Sequence, residues 1–363
     1  MNKPNQDKIR TAVDLFAGGG GLSVGLKKAG FLVCGAVEIE PTAAATYEVN
    51  HPNTVVFQSD IRSISGKQLI HTSPTSKIDM VSACPPCQGF SSLTAKYRRK
   101  DPRDELIMEF VRLVREIQPL AIMMENVPGL VKKGASIFEC AVGELRSMGY
   151  VLTHDVLDVA DYGVPQRRRR LVVLGGKGNA IAIPKPTHAR VPTKGVKPWV
   201  TVREAIGNED RPVTLQKALK IGGPASVGWH VIRNMSDVNL ERLRATRPGK
   251  SRSELPIHLR PNCHRDTDTG FSNVYGRMAW DKPSPAITGG CTTLSKGRFG
   301  HPSLLRTISV SEAASLQSFP RGYKFNTVHI DKACDIVGNA LPPKFAKVMA
   351  EACFDSIERG QHG

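Results

Sequence analysis

Two cysteines, Cys84 and Cys87, flank a pair of prolines directly after an apolar run at residues 79–83. Cysteines at this spacing could form a redox-active pair, half of a zinc site or a single nucleophilic thiolate. Zinc would need a second such pair, which the other cysteines do not form, and Pro85 and Pro86 hold the chain extended where a redox pair would open a helix. An inert buried thiol fits poorly with a proline-flanked loop at a strand end. The segment therefore favours a nucleophilic cysteine and predicts no metal.

An acid and a run of arginines follow two further apolar segments. Glu125 ends the run at residues 121–124, where it could be a salt-bridge partner or a functional acid. The arginines at residues 167–170 precede a predicted strand, and alternation along a strand places Arg168 and Arg170 on one face. A basic run is usually a solvated face or a phosphate contact. We expect one pair of these arginines to face the acidic pocket and the other to face solvent.

Four consecutive glycines, residues 18–21, follow the first predicted strand and open the first predicted helix. Glycines there let the backbone approach a ligand closely, although the strict spacing of the dinucleotide fingerprint is not met. Glu38 ends the second predicted strand, 20 positions after Gly18, where an acid can bind a pair of ribose hydroxyls. Asp60 closes the next strand. A glycine turn with two solvated carboxylates is the alternative, but the order of these features favours an adenosine-containing cofactor.

Apolar runs and helical patterns alternate through the first 178 residues. The predicted strands are residues 11–16, 32–38, 79–83, 121–124 and 169–174. The first predicted helix follows the glycines and ends at residue 29. The others cover residues 42–49, 105–117 and 136–148. Strands interleaved with helices predict an α/β fold with a parallel sheet, whose ligands bind at the carboxyl ends of the strands.

The charge balance indicates a polyanionic partner. The 363 residues include 50 Lys and Arg against 33 Asp and Glu, a net charge of +17. Such a surplus favours nucleic acid first and an anionic membrane second. The membrane interpretation is weak because no apolar run approaches the roughly 20 residues of a spanning helix. The first ten residues lack the apolar core of a secretory signal, and the scattered cysteines are expected to stay reduced in the cytoplasm.

The composition changes after residue 175. Four prolines between residues 184 and 198 are typical of a linker, and residues 241–306 carry 12 Lys and Arg against 5 Asp and Glu. Small strands and loops are expected there, and residues 333–354 are helical again. We predict a large α/β domain over residues 1–178, a smaller basic domain with its hinge over 179–330, and a segment, 331–363, that returns to the first domain.

Taken in order, the motifs of this chain resemble those of the DNA (cytosine-C5) methyltransferases of bacteria and phages. The matching segments are residues 14–21, 38, 59–61, 85–88, 125–127, 166–170, 283–289, 312–320 and 337–343. Pro-Cys-Gln, Glu-Asn-Val and Gln-x-Arg-x-Arg in this order are highly specific. The resemblance implies a Rossmann-like, S-adenosylmethionine-dependent methyltransferase core with a smaller, basic target-recognition domain.

The resemblance also implies how cytosine is activated. Cys87 would add to C6 of a flipped-out cytosine, which makes C5 nucleophilic enough to take the methyl group. Glu125 would donate a proton or a hydrogen bond to N3, and Asn126 would shape the pocket through its backbone. Arg168 and Arg170 would hold the base carbonyl, the carboxylate and a phosphate by charge-assisted hydrogen bonds. Cys84 is assigned no catalytic role.

The cofactor implied is S-adenosylmethionine, with its ribose on Glu38 and its adenine edge on Asp60. The cofactor-binding residues implied are Phe16, Ala17, Gly18, Gly20, Gly21, Glu38, Ile39, Asp60, Ile61, Pro86, Leu106, Asn339 and Ala340. Because Asn339 is near the C-terminus, the last helix should return to the first domain.

Double-stranded DNA is the partner implied. The candidate DNA contacts after the nucleophile are Gln88, Ser91, Arg98, Arg99, Lys100 and Arg103. The candidates in the recognition region are Arg252, Arg260, Asn262 and Arg265. The basic run at residues 98–100 could equally be a solvated charge cluster. The resemblance further implies a monomer, associated with the nucleoid in the cytoplasm, and a possible cognate restriction endonuclease.

Two other functions remain open from the residues. A tRNA-methylating branch of the family shares the early motifs but usually carries Cys-Phe-Thr after the Glu-Asn-Val strand, and that signature does not occur here. A catalytically silent DNA-binding protein on the same fold is the other alternative. The presence of Cys87, Glu125 and Arg170 argues against it.

Overall fold

The chain forms two compact units. The computed structural model describes residues 9–86, 105–265 and 272–360. The first unit contains the described parts of residues 1–162, 169–186 and 341–363, and the second contains residues 163–168 and the described parts of 187–340. Within these described ranges, no helix is both long and apolar enough to cross a bilayer.

A seven-stranded sheet lies at the centre of the first unit. In chain order its strands are β1 (Thr11–Leu15), β2 (Leu32–Val37), β3 (Val55–Phe57), β4 (Met80–Ala83), β5 (Ala121–Asn126), β6 (Tyr150–Asp158) and β7 (Arg169–Lys177). Their order across the sheet is β3-β2-β1-β4-β5-β7-β6, and β1 to β5 run parallel. The predicted α/β fold is confirmed.

The prediction of a parallel sheet is wrong at one edge. Strand β7 runs antiparallel to both β5 and β6. Residues 159–168 join β6 to β7 without a crossover α-helix, which a parallel connection would need. Strand β6 was not predicted because it is an edge strand whose residues are mostly half-buried or exposed, so it has no apolar run.

Helices cover the sheet of the first unit. They are α1 (Gly21–Lys28), α2 (Pro41–Asn50), α3 (Gly66–His71), α4 (Leu106–Ile117), α5 (Leu130–Lys133) and α6 (Ala135–Ser147). The spacing of helix α4 predicts an apolar face of Leu106, Phe110, Leu113 and Ile117. The last three are buried in the same core as the strands, and Leu106 is partly buried against it. The helix is capped by Gln118, which adopts a left-handed backbone.

The second unit consists of short elements, as its composition predicts. Its strands are β8 (His188–Ala189), β9 (Lys197–Pro198), β10 (Val213–Thr214) and β11 (Val231–Ile232). Its helices are α7 (Val202–Ile206), α8 (Leu215–Lys220), α9 (Asp237–Ala245), α10 (Val310–Leu316) and α11 (Ile330–Asn339). Its core includes a buried ion pair, Arg306 Nη1 to Glu312 Oε2 at 2.7 Å. The backbone N–H of Ser309 also donates to Glu312, and these partners hold the pKa of Glu312 below its usual range despite burial.

The predicted C-terminal helical region is divided in two. Helix α11 ends at Asn339, and a final helix, α12 (Pro343–Gly360), belongs to the first unit. Pro342 and Pro343 separate them because a proline has no N–H to continue a helix. Helix α12 packs on α1 so closely that a Cβ at Gly25 would lie 2.5 Å from Cβ of Ala346.

This close approach predicts opposite effects for two helical glycines. Gly25→Ala should lower the free energy of unfolding by about 1–3 kcal/mol, because the backbone of Lys347 also lies in the way and cannot move aside easily. Gly143→Ala on α6 has no heavy atom within 4 Å of the added carbon. It should therefore stabilise by about 0.5–1 kcal/mol through helix propensity. Urea unfolding of both variants measures this, and a neutral Gly25→Ala would contradict the described packing.

Candidate active site

The carboxyl ends of four parallel strands meet at one edge of the sheet. Leu15 of β1 pairs with Val37 of β2 and with Ala83 of β4, and Ala83 pairs with Met124 of β5. The next residues along the chain therefore lie side by side. They are the glycine loop, Glu38, Cys84 and Glu125.

The loop between β1 and α1 has a left-handed backbone at Phe16, Gly18 and Gly20, with φ of 58°, 54° and 90°. This conformation is unfavourable for Phe16 and easy for glycine. A Cβ at Gly18 would meet no heavy atom within 4 Å, so this glycine borders open space. The loop thus presents its backbone to a space that a ligand could enter.

Glu38 connects the end of β2 to this loop. Its Oε2 accepts a hydrogen bond from the backbone N–H of Gly18 at 2.7 Å, and its Oε1 accepts one from Glu40 at 2.8 Å. Burial raises the pKa of Glu38, and the two backbone donors oppose that effect. Each carboxylate oxygen has a further lone pair, so Glu38 can still accept hydrogen bonds from a pair of hydroxyls.

Beneath the loop lies a buried polar network that the sequence analysis missed. The Ser23 hydroxyl donates to Oδ2 of Asp14 at 2.7 Å, and the Tyr47 hydroxyl, 2.6 Å away, therefore donates to Ser23. Burial raises the pKa of Asp14 to about 7, against the effect of the Ser23 hydrogen bond. In the sequence, the signal for this network is Asp14, a carboxylate inside a predicted strand that is mostly apolar.

The residues after β2 and β3 differ in exposure. Ile39 is 63% exposed, an unusual position for an apolar side chain next to a buried acid. Asp60 caps the short turn Ile61–Ser63 and pairs with Arg62 at 2.5 Å, and those hydrogen bonds lower its pKa to about 2. Ile61 is buried.

The other predicted cofactor residues lie in both units. Phe16 and Leu106 are partly buried against the core of the sheet, Ala17 is buried, and Gly21 is the first residue of α1. Pro86 is the last described residue before residue 105. Asn339 and Ala340 belong to the second unit, at the end of α11. The proposed contacts of these residues with a cofactor stay predictions.

Glu125 forms a largely buried ion pair. Its Oε1 lies 2.5 Å from Nε of Arg170, and the two side chains are 9% and 16% exposed. Glu125 is carried by β5 and Arg170 by the neighbouring antiparallel β7. The desolvation of a buried pair offsets much of its attraction, but removal of one partner leaves the other buried without compensation.

The side chain of Asn126 makes two hydrogen bonds, and the backbone role expected for this residue stays a prediction. Its Nδ2 donates to the carbonyl oxygen of Pro85 at 3.2 Å, and its Oδ1 accepts from the N–H of Val127 at 2.7 Å. On the other side, the N–H of Cys84 donates to the carbonyl oxygen of Leu15 at 3.3 Å. The 84–86 segment is therefore anchored to both neighbouring strands just before Cys87.

Several predicted site residues lie outside the described ranges. They are Cys87, Gln88, Ser91, Arg98, Arg99, Lys100 and Arg103. Their predicted roles stay predictions.

The predicted alternation along residues 167–170 is present. Arg167 and Arg169 are exposed, Arg168 is buried and Arg170 is partly buried. Arg168, however, donates from Nη1 to the carbonyl oxygen of Ile287 at 2.7 Å, within the second unit.

Gln166 also forms a hydrogen bond to the backbone of Ile287. Its Oε1 accepts from the N–H of Ile287 at 2.8 Å, and its Nε2 donates to Oε1 of Gln317 at 2.6 Å. In this structure Gln166 and Arg168 therefore hold the peptide groups of Ile287, a role that the sequence analysis did not anticipate.

The candidate groove contacts in the second unit differ in accessibility. Arg252 is only 2% exposed, so burial argues against its predicted contact with DNA. Arg260 donates to the carbonyl oxygens of Leu255 and Ser253, whereas Asn262 and Arg265 are exposed.

The Glu125–Arg170 pair predicts a specific stability pattern. Arg170→Leu should lower the free energy of unfolding by about 3 kcal/mol, because Glu125 is left buried without a cation. Adding Glu125→Gln to that variant should recover part of the loss, and Arg169→Leu, at an exposed position of the same strand, should change stability by less than about 0.5 kcal/mol. Urea unfolding of the four proteins tests this. Equal losses for Arg169→Leu and Arg170→Leu would contradict the ion pair.

A family model and several known proteins are similar to this chain over most of its length. A family model described as C-5 cytosine-specific DNA methylase matches residues 10–355. Type II methylase M.HgiDII of Herpetosiphon aurantiacus is 35% identical over 355 residues, which cover 96% of each chain. Type II methyltransferase M1.HphI of Haemophilus parahaemolyticus is 36% identical over 347 residues, covering 94% of this chain and 86% of that protein. 

A solved structure is also similar to this chain. An E. coli prophage protein described as a DNA modification methyltransferase is similar with a TM-score of 0.72 at 25% identity, over 96% of this chain and 99% of that one. Because the family model matches nearly the whole chain, the protein belongs to the C-5 cytosine-specific DNA methylase family.

Proposed function

We propose that this protein transfers a methyl group from S-adenosylmethionine to C5 of a cytosine within a specific sequence of double-stranded DNA. The observation that supports this most directly is the buried ion pair between Glu125 and Arg170 at the carboxyl ends of the strands. At the same edge of the sheet, the anchored segment 84–86 is followed directly by Cys87. A nucleophile and a proton donor are the two groups that activation of cytosine requires.

Cys87 and Glu125 divide the chemistry on the base between them. The Cys87 thiolate forms a bond to C6, and the electron pair of the C5–C6 double bond moves toward N3, where Glu125 supplies a proton. C5 then takes the methyl group, and the thioether S-adenosylhomocysteine leaves. A water molecule takes the C5 proton, and the electron pair of that C–H bond re-forms the C5–C6 double bond and expels the Cys87 thiolate. The proton on N3 returns to Glu125. General acid help of this type is worth about 10²–10⁴-fold in rate.

The strand ends around the glycine loop fit an adenosine-containing cofactor. Gly18 borders open space beside the carboxylate of Glu38, and the apolar side chain of Ile39 is exposed. We infer that Glu38 binds the ribose, Ile39 flanks the adenine ring, Asp60 reads its edge and the glycine loop holds the methionine part. S-adenosylmethionine supplies an activated methyl group when bound.

The target cytosine must leave the duplex before Cys87 can reach C6. Flipping a base costs on the order of a few kcal/mol of stacking and pairing. The net charge of +17 supports the inference that phosphate contacts offset this cost. Within the second unit, we propose Arg260, Asn262 and Arg265 as groove contacts and leave out the buried Arg252.

A restriction–modification role follows from the relatives. M.HgiDII and M1.HphI are named type II enzymes. We infer that this protein methylates the sequence that a cognate restriction endonuclease cuts, and that it acts as a monomer.

Replacement of the nucleophile should separate catalysis from binding. Cys87→Ala should abolish both methyl transfer and covalent trapping on duplex DNA that contains 5-fluorocytosine, while DNA affinity is retained because phosphate contacts do not use the thiol. Labelled-methyl incorporation, denaturing gels and gel-shift titration measure the three properties. Cys140→Ala, at an exposed site on α6, is the control that should behave as wild type. Turnover by Cys87→Ala, or no adduct with wild type, would refute the mechanism.

Replacement of the ribose-binding acid should affect one ligand only. Glu38→Ala should raise the dissociation constant for S-adenosylmethionine at least about tenfold, because the hydroxyl pair and the Gly18 N–H lose their acceptor. The affinity for DNA should stay within about twofold. Glu48→Ala, at an exposed position on α2, is the matched control. Calorimetric titration with each ligand measures the two dissociation constants. Equal weakening of S-adenosylmethionine and DNA binding would count against the assignment of Glu38 to the ribose.

A further inference from the structure

Cys84 lies beside Glu125 at the strand-end edge. Ala83 of β4 pairs with Met124 of β5 in a parallel register, so the next residues on the two strands, Cys84 and Glu125, are neighbours. The backbone N–H of Cys84 is fixed to Leu15, which limits where the side chain can go. Register alone thus brings a thiol next to the proposed acid.

The surroundings of Cys84 make it a hydrogen-bond donor. Its thiol lies next to Glu125 in the register of the two strands, and burial together with the charges of Glu125 and Asp14 raises the pKa of the thiol well above its usual range. A thiol that stays protonated beside a carboxylate donates its S–H to it. Cys84 is therefore a poor nucleophile, in contrast to the role proposed for Cys87.

The carboxylate of Glu125 has contacts on two sides. Arg170 contacts Oε1 from β7, and the Cys84 thiol approaches from the end of β4. Among the described residues, the other charged group near this pair is Asp14 on β1, whose pKa is about 7. Two donors from different strands restrict rotation of a carboxylate more than one donor does.

We propose that Cys84 is a positioning residue for Glu125, whose carboxylate it orients by donating its S–H. The inference rests on the proposed function, in which Glu125 supplies the proton to N3. Loss of this donor leaves Arg170 as the one described side chain in contact with the acid.

Kinetics of two variants test the proposal. Cys84→Ala should lower kcat about tenfold and leave KM for S-adenosylmethionine within about twofold. Cys84→Ser keeps a donor of similar size and should restore kcat toward wild type. The comparison of Ala with Ser, both neutral, is the decisive one. Cys140→Ala is the thiol-removal control.

The outcomes separate this inference from the proposed function. If wild type transfers no methyl group to DNA, the proposed function fails. If wild type is active and Cys84→Ala matches it in kcat, or Cys84→Ser fails to restore kcat, the positioning role is overturned. A loss of thermal stability without a change in kcat would likewise assign Cys84 to packing alone.

Thiol reactivity supplies a readout that does not depend on turnover or on folding of the Cys84→Ala variant. Glu125→Gln removes the negative charge next to Cys84, so the thiol should ionise more easily, and iodoacetamide should alkylate it about tenfold faster at pH 8. Peptide mass spectrometry follows Cys84 separately, with the exposed Cys140 as the internal reference. An unchanged alkylation rate at Cys84 would show that the thiol does not contact the carboxylate.

Discussion

The ion pair between Glu125 and Arg170 is the interaction on which the rest of the site depends. A carboxylate that is 9% exposed would be costly to keep without a cation, and Arg170 supplies that cation at 2.5 Å. The pair exists because β7 returns antiparallel beside β5, where Glu125 is opposite Val172, and carries Arg170 two residues away from that position. The one departure of the sheet from a parallel arrangement is therefore also the feature that completes its functional edge.

A second group of buried polar contacts supports the edge from below. Asp14, Ser23 and Tyr47 join β1, α1 and α2 by hydrogen bonds under a loop that holds Phe16 in a left-handed backbone. Strain at such a position persists only where the surrounding structure fixes it. The packing of α12 against Gly25 of α1 adds a further constraint on the helix that follows the loop. The open space beside Gly18 is thus framed by rigid elements, as a binding site requires.

The sequence predicted correctly those features that depend on the pattern within a single strand or helix. The strands β1, β2, β4 and β5 are short buried runs, and the carboxyl ends of parallel strands must share an edge, so the proximity of Glu38, Cys84 and Glu125 was predictable. The sequence did not predict those features that depend on contacts between segments far apart in the chain. Periodicity does not give the direction of β7, the contact of Arg168 with Ile287, or the side-chain bond from Asn126 to Pro85. Single residues in a sequence also gave no sign that Arg252 would be buried.

The identity of the methylated product tests the central claim most directly. Duplex DNA and tRNA would each be incubated with the wild-type protein and S-adenosylmethionine carrying a labelled methyl group, then digested to nucleosides for mass spectrometry. Addition of a thiolate at C6 activates C5 and no other position of the ring, so the label should appear in 5-methylcytosine from duplex DNA. Label in N4-methylcytosine, or in nucleosides from tRNA instead of DNA, would contradict the account.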